Sequence, residues 1–170
     1  MATNKDKVKV PIRYVPKNLS RKDTKKQSAM LMKSRRLYKQ KKYFTRKPVK
    51  SFKSKPSNHI TNAKRIYHIE NISPNAQLAK ATGCSLDALK KIVNKGEGAY
   101  FSSGSRPNQT AQSWGYARLA SAITSGKAAA VDYSILEEGC DHKKKAFTLA
   151  KKAKRMYNKG RGATRKRVIK

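Results

Sequence analysis

Hydrophobic positions recur at helical spacing in some stretches of this chain and fail to recur in others. After Ser20, Met30 and Leu37 lie on one helical face, with Leu31 and Tyr38 beside them, and the spacing predicts a helix from Ser20 to about Lys42. Ser20-Arg21-Lys22-Asp23 has the form of a capping box with Asp in place of Glu. Before it, Lys5–Lys17 is basic and punctuated by Pro11 and Pro16, which predicts an extended arm. After it, residues 43–58 hold two prolines and alternating Lys and Ser, and read as a linker or extended strap with no core role. Ile60–Ile69 fits a short helix or a strand.

From Ser73 the pattern becomes compact. Ser73-Pro74 predicts an N-cap with proline in the first helical position, a helix to about Ala81, and Gly83 past its end. Ser85 then caps a second helix, Leu86–Lys95, stopped by Gly96. Residues 96–110 read as a Gly/Ser loop around Tyr100-Phe101. Ala111–Thr124 is helical, with Gly126 after it, and Ala128–Leu136 fits strand or helix equally. Asp141 caps a last helix from His142 to about Tyr157. Asn158-Lys159-Gly160 stops it, and GRGATRKRVIK follows as a flexible basic end. The fold class expected is mainly α: a small helical domain with a long extended basic N-terminal arm and a basic C-terminal helix and tail.

Charge changes the picture. Of the 170 residues, 42 are Lys or Arg and nine Asp or Glu, a net charge of +33. Residues 1–66 carry 22 basic and two acidic side chains, residues 67–142 seven of each, and residues 143–170 carry 13 basic and none acidic. The domains expected are therefore a basic arm over 1–66, a neutral helical core over 67–142, and a basic amphipathic helix and tail over 143–170. Like charges repel within a Debye length of about 8 Å, so the arms call for an anionic partner. The electrostatic candidates are Arg21, Lys22, Lys33, Arg35, Arg36, Lys41, Lys42, Arg46, Lys47 and Arg106. Lys151, Lys152, Lys154, Arg155, Arg161, Arg165, Lys166 and Arg167 complete them. A Lys/Arg strap neutralises phosphates independently of sequence, and interleaved Tyr38, Tyr43, Phe44 and Phe52 can stack on bases. The same strap can lace over an acidic protein surface, and composition does not separate the two uses.

Other chemistries find little support. No stretch reaches about 18 apolar residues, so no membrane span is expected. MATNKDKVKV lacks the apolar segment of a secretory signal. Cys84 and Cys140 read as two separate thiols of a protein made in a reducing compartment, although a disulfide between them is the alternative. A Cys/His metal site with His142 and His59 or His68 would need an unusual C-x-H pair. The basic runs Lys33–Lys42, Lys143–Arg155 and Arg165–Arg167 fit nuclear import signals and general basicity equally well. The 96–110 loop lacks the GxxxxGK[ST] spacing, and reads as structural, capped by Asn108 or Thr110, rather than as a phosphate cradle with Arg106. Asp132, Glu137, Glu138 and Asp141 follow no catalytic motif and are expected to balance cations of a folded-back arm. Residues 77–93, QLAKATGCSLDALKKIV, have helix–turn–helix spacing. Leu78, Leu89 and Ile92 would pack the pair, and Ser85, Asp87, Ala88, Lys90 and Lys91 would face outward. With Asp87 facing phosphates, an ordinary helical hairpin is the expected reading. No cofactor, metal or small-molecule substrate is expected.

VPKNLSRKD at 15–23, GEGAYFSSGSRPNQT at 96–110 and SWGYARLASAITSGKAAAVD at 113–132 resemble blocks of a family of small basic proteins of large nucleocytoplasmic DNA viruses. The resemblance implies a virus-encoded protein packaged in the particle, and assigns no catalytic or ligand residues. The function expected is a non-enzymatic minor capsid component of a large icosahedral double-stranded DNA virus, made in the host cytoplasm or nucleus. Its arms would bridge capsid neighbours, packaged DNA or an anionic internal membrane surface. The alternative is a DNA-binding or DNA-condensing protein of the virion core.

Overall fold

The computed structural model describes residues 7–157 and 164–169. Among these are eight α-helices and two short strands, so the protein is mainly α. Contacts divide the chain into two units. One is drawn from Met1–Lys55, Gly98–Ala111 and Ala163–Lys170, the other from Pro56–Glu97 and Gln112–Gly162. These units do not coincide with the charge blocks 1–66, 67–142 and 143–170. Charge marks what faces solvent, whereas units are set by what is buried.

In the first unit, β1 (Val8–Pro11) pairs antiparallel with β2 (Lys166–Ile169), Val8 opposite Ile169 and Pro11 opposite Lys166. Val10 and Ile169 are buried on one face of this ribbon. Within the described residues, the expected extended arm and flexible tail thus supply the two strands of one sheet. A 3-10 turn, Ile12–Tyr14, leads towards α1 (Arg21–Lys39). Ser20 caps α1 by accepting from the Asp23 amide at 3.1 Å. The helix ends on Lys41 at φ 59°. There the Lys41 N–H reaches the Tyr38 carbonyl and the Lys42 N–H reaches Leu37, each at 2.9 Å. This is a Schellman closure with Lys in the left-handed position usually held by glycine, a strain of about 1 kcal/mol.

The strap over 43–55 has no regular structure, as expected, but it is part of the interior. Arg46 and Val49 are both buried. The loop 103–110 clamps it. Asn108 accepts from the Val49 amide at 2.7 Å and donates to the carbonyls of Val49 (3.3 Å) and Phe52 (2.9 Å). Gly104, at φ 138°, leaves no room for a side chain: a Cβ there would lie 2.8 Å from Leu31 Cδ2 and 2.9 Å from Tyr14 Cδ2.

In the second unit, α2 (Asn58–Tyr67), α3 (Ala76–Thr82), the start of α4 (Leu86–Ser102), α5 (Ala111–Ala122), α6 (Lys127–Val131), α7 (Tyr133–Gly139) and α8 (Lys145–Met156) contribute to one apolar core. Leu78, Leu89, Ile92, Leu119, Ile123 and Leu136 are fully buried in it. Several boundaries differ from expectation. Asn75, not Ser73, caps α3, because its side chain accepts from the Leu78 amide at 2.8 Å. Gly96 does not stop α4. It passes so close to α5 that a Cβ would fall 2.7 Å from the Gly115 Cα, so this glycine serves packing. The ambiguous Ala128–Leu136 stretch becomes α6 and α7. Asp141 caps a turn through the Lys143 amide at 2.9 Å, four residues ahead of the start of α8. The stop expected at Asn158-Lys159-Gly160 lies outside the described residues.

Cys84 and Cys140 form a disulfide, which corrects the reading as separate thiols. The flanking main chains pair, Ser85 N–H to Gly139 at 2.7 Å and Asp141 N–H to Gly83 at 2.8 Å. A separation of 56 residues held no signal that the fold brings these turns together.

Candidate functional site

Helix α1 separates its residues by chemistry. Its inner side buries Gln27, Met30, Leu31 and Ser34. Its solvent side carries Arg21, Lys22, Lys25, Lys26, Lys33, Arg36 and Lys39, all exposed. At 100° per residue these seven fall within an arc of about 140°, interrupted only by small Ala29 among exposed positions. The sole carboxylate of the helix, Asp23, is turned inward and accepts from the Ser51 amide at 2.8 Å. Hydrogen bonds from the Ser51 side chain and backbone hold the Asp23 carboxyl below the usual range against its partial burial. The result is a cationic rod about 28 Å long with no exposed acid.

Aromatic rings gather where α1 ends. Tyr43 is 70% exposed and Tyr38 37%. The Tyr43 ring lies 5.1 Å from Phe101 and 6.2 Å from Tyr38, tilted to both. Phe101 in turn meets Tyr100 edge-on at 5.0 Å, and Lys33 Nζ sits 4.5 Å over Phe44. Lys39, Lys41 and Lys42 flank this group in sequence and are exposed.

The electrostatic candidates divide accordingly. Arg21, Lys22, Lys33, Arg36, Lys41, Lys42, Lys47, Arg106, Arg165 and Lys166 are exposed in the first unit. Three arginines of that unit do not belong to an open surface. Arg46 is buried: it donates to Ser34 Oγ (2.9 Å), the Tyr100 carbonyl (2.8 Å) and Ser105 Oγ (2.9 Å), and lies 3.8 Å over the Tyr100 ring. Burial pushes its pKa down, opposed by Tyr100 and Tyr14. Arg167 donates to the carbonyls of Val15 (2.9 Å) and Pro16 (3.4 Å), and Arg35 to Ser103 (2.7 Å), so both fasten backbone. These positions look like surface charge in sequence, and only the tertiary fold turns them inward. For Arg106, burial and the neighbouring Arg13 both push the pKa down.

In the second unit Lys151, Lys152 and Arg155 are exposed on α8, while Lys154 lies 4.3 Å over the Tyr133 ring. Arg161 lies outside the described residues. The helix–turn–helix stretch forms a hairpin of α3 and α4 with Gly83 at φ 77° in its turn. Leu78, Leu89 and Ile92 are inside, as the spacing predicts. Ala88 is also inside, against Gly139, which corrects its outward placement. Asp87 pairs with Lys91 at 3.2 Å, so one of the two outward lysines is already matched.

Asp132 is fully buried and accepts from Lys95 (2.7 Å) and Arg118 (2.8 Å to each carboxylate oxygen). Its partners come from its own unit, not from a folded-back arm as expected. Burial would raise its pKa, but the hydrogen bonds and charges of Arg118 and Lys95 win and hold it below the usual carboxylate range. Among the described residues no three His, Cys, Asp or Glu side chains gather as a metal site, and no helix is long and apolar enough to cross a membrane. Residues 96–102, expected in a loop, belong to α4, and Ser105 and Asn108 of the 103–110 loop are spent on the strap rather than aimed at a ligand.

No curated protein and no solved structure matches the chain. Residues 11–141 match the model of a family of unknown function, DUF5824, and the match contains both stretches 15–23 and 96–132. With most of its length matched, the chain belongs to the DUF5824 family.

Proposed function

We propose that the protein is a non-enzymatic, sequence-independent binder of nucleic acid, carried with the genome in the particle of a large DNA virus. The observation that carries this reading is the solvent face of α1, with seven exposed cations and its one carboxylate turned away. A rod of about 28 Å matches roughly eight base pairs of duplex, and each phosphate it neutralises releases counterions. Such contacts position a protein without reading bases. The viral setting rests on the resemblance of residues 15–23 and 96–132.

The test compares duplex binding by two sets of alanine substitutions. Lys22→Ala, Lys25→Ala and Arg36→Ala together should lower the slope of log K against log salt by about 2.7. Lys151→Ala, Lys152→Ala and Arg155→Ala on α8 should have the smaller effect. Unchanged affinity in the α1 set contradicts the reading.

A second reading is favoured by the other cationic face, Lys145, Lys151, Lys152 and Arg155 on α8. Two such faces, one in each unit, suit a minor capsid protein that bridges acidic capsid neighbours or an anionic internal membrane. Cross-linking mass spectrometry on intact particles separates the two. Lysine links mainly to capsid proteins favour the second reading, and co-purification with the genome until high salt favours the first.

A further inference from the structure

The end of α1 carries more than charge. Tyr43 leaves 70% of its surface in water although Phe101 and Tyr38 are within reach. It is not loose. Phe101 props it from one side at 5.1 Å and Tyr38 from another at 6.2 Å. The turn that delivers it holds Lys41 in the left-handed region at φ 59°, where a non-glycine residue costs energy. The same turn that closes α1 thus sets Tyr43 beside Phe101 and Tyr38. Lys39, Lys41 and Lys42 are exposed around it, and Arg36 lies one turn back on the cationic face.

An exposed ring, propped by two others and set among lysines, complements one ligand chemistry: a planar base joined to a phosphate. Within a duplex both faces of each base are covered by its neighbours, so only an unpaired base can settle on the ring. We infer that Tyr43 is a stacking step for an unpaired base and gives the protein a preference for single-stranded nucleic acid over duplex. The inference rests on the reading of the α1 face as a phosphate-binding surface, and names the form of nucleic acid that surface takes. Phe101 and Tyr38 are positioning residues that hold the ring.

The experiment measures binding of a dye-labelled single strand of about 20 nucleotides, and of the matching duplex, by anisotropy for the full chain and for Tyr43→Ala and Tyr43→Phe. Tyr43→Ala should weaken single-strand binding about tenfold and duplex binding less than about twofold, and Tyr43→Phe should restore the single-strand affinity. Because the ring is largely in solvent, truncation leaves the core intact, and an unchanged thermal melt verifies this. Equal losses on both ligands overturn the inference. No loss on either, with normal binding by the parent chain, also overturns it while leaving the phosphate-binding reading in place. A parent chain that binds neither ligand overturns both.

Discussion

Ser51 donates its backbone N–H to Asp23 Oδ2 at 2.8 Å, and its side-chain oxygen accepts from the Ser20 amide at 3.0 Å. Half of the capping box read in the sequence is therefore present. Ser20 caps the Asp23 amide, but the Ser20 amide goes to Ser51 Oγ, and Asp23 Oδ2 accepts from the strap. This detour removes the carboxylate from the cationic face and ties the strap to the start of α1. Asp23→Ala should speed amide hydrogen exchange at Ser51 and Phe52. Since the folded pKa is lowered, the tie is full above the unfolded value of about 4 and is lost as pH falls through the lower folded value.

Arg46 is a buried cation whose anchors are two hydroxyls, a carbonyl and an aromatic face. Lysine cannot reach this forked set of acceptors. Arg46→Lys should therefore destabilise the protein by about 2 kcal/mol, and Arg46→Ala by about 3 kcal/mol, measured by urea unfolding. Nucleic-acid affinity per folded molecule should stay within about twofold, since this arginine offers no open charge.

Asp132 joins α4 and α5 to the α6–α7 junction through Lys95 and Arg118. Removing it leaves two cations facing each other around a buried hole. Asp132→Ala should cost about 2–3 kcal/mol, since both cations keep access to water, and Asp132→Asn less. Its lowered pKa sets the pH window: the stabilisation is complete above about pH 4 and declines as pH drops through the folded value. The melting temperature of the parent chain should fall on acidification below pH 4, and more steeply than that of Asp132→Asn.

The Cys84–Cys140 disulfide joins two cysteines of the second unit and closes a loop of 56 residues. Chain-entropy arguments give about 4 kcal/mol for such a loop. Reduction, or the double substitution Cys84→Ala with Cys140→Ala, should lower stability by that order. A melting temperature insensitive to reductant would contradict the pairing.

Local features were legible in the sequence, and long-range ones were not. Ser20 marks the start of α1, Gly83 the turn between α3 and α4, and Leu78, Leu89 and Ile92 the core of that hairpin, because capping and periodicity act within a few residues. Gly96 misled because a glycine that lets two helices touch looks the same as one that ends a helix. β1 and β2 went unread because each has four residues and its partner lies at the far end of the chain. Among many surface lysines and arginines, nothing local distinguishes Arg46 or Arg167 as internal. The cationic face of α1 was readable as charge. The inward turn of Asp23 and the props behind Tyr43 needed Ser51 and Phe101, which only the fold supplies.

If the α1 face binds nucleic acid through phosphates without reading sequence, as proposed, its affinity must depend on salt and not on base order. The deciding measurement is the affinity of the parent chain for unrelated duplexes from about 50 to about 300 mM salt. If at least about four of the seven cations engage, log K should fall against log salt with a slope of about −3.6 or steeper, alike for every sequence. A flat salt dependence, or tight binding confined to one sequence, would contradict it.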